Sequence, residues 1–219
     1  LVINEINYNS SDEFDTGDWV EIYNNGTDSV NISNWYFTDE NEDHRFTFPE
    51  NSIIGVDSYI VLAQDTSSFS NFFPQEVDLY GSFDFGFSGG GEEISLYDLS
   101  GGLIDQVEYD DSSPWPIEPD GNGPTLELIS PDSLNDLASS WSFSYGNGTP
   151  GYINSVISPL SFENEKNIPI QPLLQSAFPN PFNSMVKIKF SLPNQYNVDI
   201  SIFNILGEKV RSFSNNQYN

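Results

Sequence analysis

The sequence predicts an all-β protein: an antiparallel β-sandwich followed by a small C-terminal β-domain. Three observations carry this reading. Apolar residues alternate with polar ones at period two in runs of about five to eight residues. Clusters rich in Asn, Asp and Gly separate the runs. No stretch carries the apolar stripe that an amphipathic helix would need.

Taken in order, Val20 and Ile22 alternate with Trp19, Glu21 and Tyr23, and Trp35 and Phe37 with Tyr36 and Thr38. Ile60 and Leu62 alternate with Tyr59, Val61 and Ala63, themselves apolar, so this strand is expected to be buried on both faces. Ile94 and Leu96 oppose Ser95 and Tyr97, and Leu126 and Leu128 oppose Thr125, Glu127 and Ile129. The breaks fall at Asn24-Asn25-Gly26, Ser100-Gly101-Gly102 and Asp120-Gly121-Asn122-Gly123-Pro124, residue types that accept turn geometry. Residues 65–72 fit one short helical turn. Near the C-terminus, Val186, Ile188 and Phe190 alternate with Lys187 and Lys189, and Val198, Ile200 and Ile202 with Asp199 and Ser201. Asn204–Gly207 reads as a hairpin turn before a third strand over 208–213. Three strands make a thin core, so this domain is expected to be incomplete by itself.

Charge divides the chain more sharply than hydropathy does. Residues 1–154 hold 29 acidic residues against Arg45 alone, whereas 155–219 hold five basic residues and four acidic ones. The changeover carries Pro159, Pro169 and Pro172 and little periodicity. We therefore expect a sandwich over 1–154, a linker over 155–176 and a second domain over 177–219.

Composition narrows the functions. The 219 residues include 33 Asp plus Glu, 6 Lys plus Arg, one His and no Cys, for a net charge of −27. Without Cys there is no disulfide framework, thiolate metal site or Cys nucleophile. A single His leaves little room for imidazole chemistry. A surface this negative repels nucleic-acid phosphate and anionic lipid, and no apolar run approaches the roughly 18 residues of a membrane span. We expect no nucleic-acid partner and no membrane insertion. The chain opens on Leu1, so a processed or trimmed product is expected.

Several motifs fall in a recognisable order. They are LVINEIN at 1–7, DWVEIYN at 18–24, VNISNWYFTD at 30–39, EEISLYDLSGGLIDQVEY at 92–109, SPWP at 113–116, DGNGPTLELI at 120–129 and GTPGYIN at 148–154. Together they resemble the lamin tail domain, which implies an immunoglobulin-like sandwich. Farther on, FPNPFN at 178–183, VKIKFSLP at 186–193 and VDISIFNILGEKV at 198–210 resemble the C-terminal sorting domain of type IX secretion cargo. That resemblance implies export from a bacterium to the cell surface or beyond, and contact with the secretion machinery. Such domains usually continue for further strands, so this one is expected to be truncated.

Each chemical motif has a plain structural alternative. Asp12, Glu13, Asp15 and Asp18 share one loop, and Asp39, Glu40, Glu42 and Asp43 another, as a calcium site would need. Neither shows a D-x-D-x-D-G ladder, and a solvated acidic surface is the favoured reading, with Asp12, Asp15 and Asp18 kept as the metal candidates. His44 lacks a nucleophile context and reads as a surface or strand-edge residue. The Gly-rich 81–91 stretch lacks the Lys-Ser/Thr of a phosphate loop and reads as a flexible connection. Asn9, Asn25, Asn31 and Asn147 begin sequons, which carry little weight in a bacterial product. Among Trp19, Trp35, Trp115 and Trp141, Trp115 lies between two prolines and is the candidate platform for stacking on a sugar.

These readings converge on a secreted, non-catalytic bacterial surface or extracellular module, structural or adhesive, without a cofactor. Self-association is expected through the tail residues Val186, Ile188, Phe190, Val198, Ile200 and Ile202, or else contact with other surface proteins. Two alternatives stand beside it: an accessory domain of a larger secreted hydrolase, and a carbohydrate-binding module.

Overall fold

The computed structural model describes residues 1–157 apart from positions 42, 75 and 76. In the tail it describes the strand segments 173–174, 178–183, 185–187, 190–191, 198–203 and 209–215, with side chains at 209–211 alone. The chain divides into two compact units, Leu1–Ser161 and Phe162–Asn219.

In the first unit the strands are β1 Val2–Asn7, β2 Trp19–Tyr23, β3 Val30–Asn31, β4 Tyr36–Asp39, β5 Arg45–Thr47, β6 Ile53–Ile54 and β7 Tyr59–Ala63, then β8 Asp78–Gly81, β9 Glu92–Tyr97, β10 Leu103–Tyr109, β11 Leu126–Leu128 and β12 Trp141–Phe143. Helix α1, Thr66–Phe72, separates β7 from β8. A six-stranded sheet runs β12-β11-β1-β2-β7-β8 and a four-stranded sheet runs β10-β9-β4-β5. Ile3, Ile6, Val20, Ile22, Ile60, Leu62, Leu126 and Leu128 from the larger sheet pack against Phe37, Ile94, Leu96 and Val107 from the smaller. This is the expected all-β sandwich, since each strand sends alternate side chains to the shared core. One pair, β7 with β8, is parallel rather than antiparallel. The α1 crossover explains it, because a strand–helix–strand connection can return the chain in the same direction. Asp65 caps the helix, accepting from the amides of Ser67 and Ser68 at 2.9 and 3.0 Å.

The larger sheet is covered on its outer side too. Trp19, Val61 and Ala63 are buried there with Phe69 of α1, whose ring meets Trp19 edge-on at 5.6 Å. β7 is thus buried on both faces, as its unbroken apolar run predicts. A register shift between Ile3 and Glu5 lets Ile3 and Ile6, three positions apart, both reach the inner core. Such a bulge places two consecutive residues, Asn4 and Glu5, opposite one position of β2.

The 81–91 stretch corrects an expectation. It is not a loose connection, because Phe83, Phe85 and Phe87 are all buried in the main core. Their rings touch one another at 4.6–6.5 Å, and Phe87 also meets Phe37 at 5.9 Å. The Gly content masked an alternating Phe-x-Phe-x-Phe run. Gly91, at φ +96°, allows the turn into β9, where a Cβ would stand 2.5 Å from the Tyr109 carbonyl oxygen.

Among its described residues, the second unit shows three two-stranded antiparallel ladders. β13 (Leu173–Leu174) pairs with β16 (Phe190–Ser191), β14 (Phe178–Asn183) with β15 (Met185–Lys187), and β17 (Val198–Phe203) with β18 (Lys209–Asn215). Of the tail residues expected to carry assembly, Val186, Phe190, Val198, Ile200 and Ile202 lie on these strands, and Ile188 lies outside the described residues.

Candidate functional site

Two places in the first unit concentrate ionisable groups. The first is a row of three glutamates on the outer face of the larger sheet. Glu127 of β11, Glu5 of β1 and Glu21 of β2 are paired in register, Glu127 with Glu5 and Glu5 with Glu21. All three are completely buried. Residues 148–156 run across them and supply the donors. The Thr149 amide donates to Glu5 Oε1 at 3.0 Å and the Thr149 hydroxyl to Glu127 Oε1 at 2.8 Å. The Gly151 amide donates to Glu21 Oε2 at 2.5 Å, and Ser155 Oγ and the Val156 amide to Glu127 Oε2 at 2.7 and 3.0 Å. Thr125 Oγ1 donates to Glu5 at 2.5 Å and Asn4 Nδ2 to Glu21 at 2.8 Å. Asn154 completes the contact by donating to the carbonyls of Asn4 and Leu128.

Burial disfavours the charged form of each carboxyl. Burial first, then Glu127 and Glu21, holds Glu5 well above the usual carboxylate range. Burial pushes Glu21 up to about 8, against the lowering effect of the Gly151 and Asn4 donors. Glu127 is raised by burial as well. The row therefore retains protons under conditions where surface glutamates have lost theirs. Sequence reasoning missed it because each glutamate alternates with core aliphatics, the ordinary pattern of a solvent-facing position. A usable signal was present: three strands each with Glu at the same outward position, inside motifs otherwise poor in charge.

The second place is an open groove of about 660 Å³ where Trp115 and Tyr109 meet Glu40, Glu92, Glu93, Glu108, Asp110 and Asp136. Trp115 is half-buried and its ring lies 6.2 Å from that of Trp141. Trp141 is itself buried and donates to the Asn135 carbonyl at 2.8 Å. Glu92 accepts from the Ser88 amide and the Tyr109 hydroxyl, and burial pushes it up to about 7. Tyr109, at the floor of the groove, stacks on Tyr8 at 4.7 Å. The aromatic platform expected at Trp115 is thus partly exposed, in a strongly acidic setting.

The remaining candidates lie elsewhere. Asp12 and Asp15 are exposed. Asp18 points inward, where its Oδ2 accepts from the Phe87 amide at 2.7 Å and burial pushes it up to about 6. Among the described residues, no group of three or more His, Cys, Asp or Glu side chains is arranged to hold a metal ion. His44 sits beside strand β5 with Nδ1 2.7 Å from Asp39 Oδ2 and its ring stacked on Phe85 at 5.0 Å. The neighbouring Arg45 lies over the Tyr36 ring at 3.7 Å. Trp19 and Trp141 serve the core, and Trp35 packs against it.

Two family matches agree with this architecture. Residues 1–111 match the family described as Lamin Tail Domain, and residues 176–219 match the Secretion system C-terminal sorting domain. The chain belongs to the lamin tail domain family. The sorting domain marks it as a protein exported by type IX secretion to the cell surface or the extracellular space, through contact with that machinery. Both are non-catalytic kinds of domain. Among solved structures, a DUF4876 family protein from Bacteroides thetaiotaomicron is similar, with a TM-score of 0.41 and 11% identity over 67% of this chain and 68% of that one. No curated protein matches the chain. Among the described residues, no helix is long and apolar enough to cross a membrane.

Proposed function

We propose that this protein is an extracellular structural or adhesive module without catalytic activity or cofactor. Its sandwich, 1–154, is the working domain, 155–176 a linker, and 177–219 the part that addresses it for export and then supports self-association. The observation that carries the reading is the pairing of a lamin tail domain with a sorting domain in one chain. Lys187, Lys189, Lys209 and Arg211 in the tail oppose the large negative charge of the first domain, and complementary charge favours encounter between copies. Light scattering of the 219-residue chain beside a 1–157 truncation tests it. Assembly of the full chain that the truncation loses is expected; two monomers would overturn the self-association. Turnover of a substrate by the purified chain, abolished by one carboxylate substitution, would overturn the non-catalytic reading.

One observation favours a second reading, carbohydrate binding at Trp115. A partly exposed indole flanked by carboxylates is suited to stacking on a sugar ring, with the carboxylates accepting from its hydroxyls. Glycan-array binding by the full chain, lost in Trp115→Ala, would favour it over the structural role.

A further inference from the structure

The glutamate row lies where the sandwich hands over to the tail. Strands stand about 4.8 Å apart, so Glu127, Glu5 and Glu21 form a line of adjacent carboxyls sealed from water. Among the described residues, the other groups that face the row are neutral or acidic. Asn4, Thr125, Thr149, Asn154 and Ser155 surround it, Tyr59 of β7 adjoins Glu21, and Asp57 and Asp78 lie farther out in the groove that Gly151 also lines. The two positively ionisable side chains of the first unit are engaged at the four-stranded sheet, Arg45 with Tyr36 and His44 with Asp39.

We propose that Glu5, Glu21 and Glu127 form a proton-operated clasp on residues 148–156. With Glu5 protonated the segment is held across the row, and with all three ionised it is released. Glu5 is the decisive member because it stands between the other two, so its ionisation alone completes a line of three like charges. Like charges this close in a dry setting repel strongly. Withdrawal of 148–156 relieves the repulsion by admitting water, and among the described residues that segment alone donates to all three carboxyls from outside the sheet. The segment is thereby held in acidic to neutral surroundings and released in alkaline ones.

Amide hydrogen exchange on the full chain, at about pH 6 and about pH 9.5 and corrected for intrinsic rates, tests the clasp. Protection at Thr149, Gly151 and Val156 should fall about tenfold or more at the higher pH, while Ile94 and Leu96 in the other sheet keep theirs. In Glu5→Gln the amide oxygen still accepts from Thr125 and Thr149, and the added N–H faces the Thr149 hydroxyl. This variant should keep the segment protected at both pH values. Equal protection at both pH values in the natural chain, or the same loss in Glu5→Gln, would overturn the proposal. Should Glu5→Gln fail to fold, the side-chain carboxyl carbon shifts of the natural chain decide. Titration of all three glutamates below about pH 5 would overturn the clasp, and a Glu5 midpoint above neutrality would uphold it.

Discussion

The Thr149 hydroxyl donates to Glu127 Oε1 at 2.8 Å, joining the segment that closes the sandwich to a carboxyl with no exposure to solvent. Removing a donor from a buried carboxyl leaves it short of a partner, at a cost of about 1–3 kcal/mol. Thr149→Val, close to isosteric, should lower the unfolding free energy from urea melts by that amount, whereas Thr149→Ser should stay near the natural value. A Val variant near the natural stability beside a destabilised Ser variant would show that the methyl group and not the hydroxyl holds the segment.

Stability should fall as pH rises, the reverse of the usual behaviour of carboxylates. Glu21 has a folded value near 8, raised from 4.5, and Glu5 is shifted the same way. Above 4.5 the unfolded chain releases protons that the folded one retains, so the stabilisation is complete below that pH and is lost as pH climbs through about 8. Glu92 near 7 and Asp18 near 6 act with the same sign. Urea melts in high salt should show a decrease on the order of a few kcal/mol between pH 5 and pH 8.5, reduced in Glu5→Gln. A midpoint that rises with pH would contradict the retained protons.

Phe87 fills the core from the 82–91 connection. Phe87→Ala should cost about 3–5 kcal/mol, the range for a large core aromatic. Gly91→Ala should destabilise as well, because the added Cβ meets backbone at 2.5 Å with φ at +96°. Thermal melts of both variants test this. A connection that tolerated both substitutions would be loose after all.

Residues 1–154 carry 29 acidic side chains against one Arg. Their mutual repulsion is screened by salt, so the melting temperature should climb steadily as sodium chloride rises from millimolar to seawater levels. Calcium and magnesium at equal concentration should act alike. A rise produced by micromolar calcium and not by magnesium would show a specific calcium site, for which Asp12, Asp15 and Asp18 are the first substitutions to make.

Much of the sandwich is legible in the chain itself. The alternations at Val20–Ile22, Ile60–Leu62, Ile94–Leu96 and Leu126–Leu128 place these residues in one core, and they are found there. The turn at Asn24-Asn25-Gly26 and the capped helix after Asp65 are local features with local causes. Trp115 is legible for a similar reason, since two flanking prolines keep it out of a strand.

The glutamate row is not legible in this way. Period two says which face of a strand a residue occupies, but not what will lie over that face. Glu5, Glu21 and Glu127 occupy the face opposite the core, and a strand read alone assigns that face to water. The sequence by itself determined the strands, their inward faces and the division into an acidic sandwich and a more basic tail. The tertiary structure decided that residues 148–156, whose Thr149 stands 144 positions from Glu5, fold across the outer face and seal it. That contact turns three surface-like carboxyls into buried proton-holding ones, because charge is stabilised by the water around it, and the water is excluded only when distant parts of the chain meet.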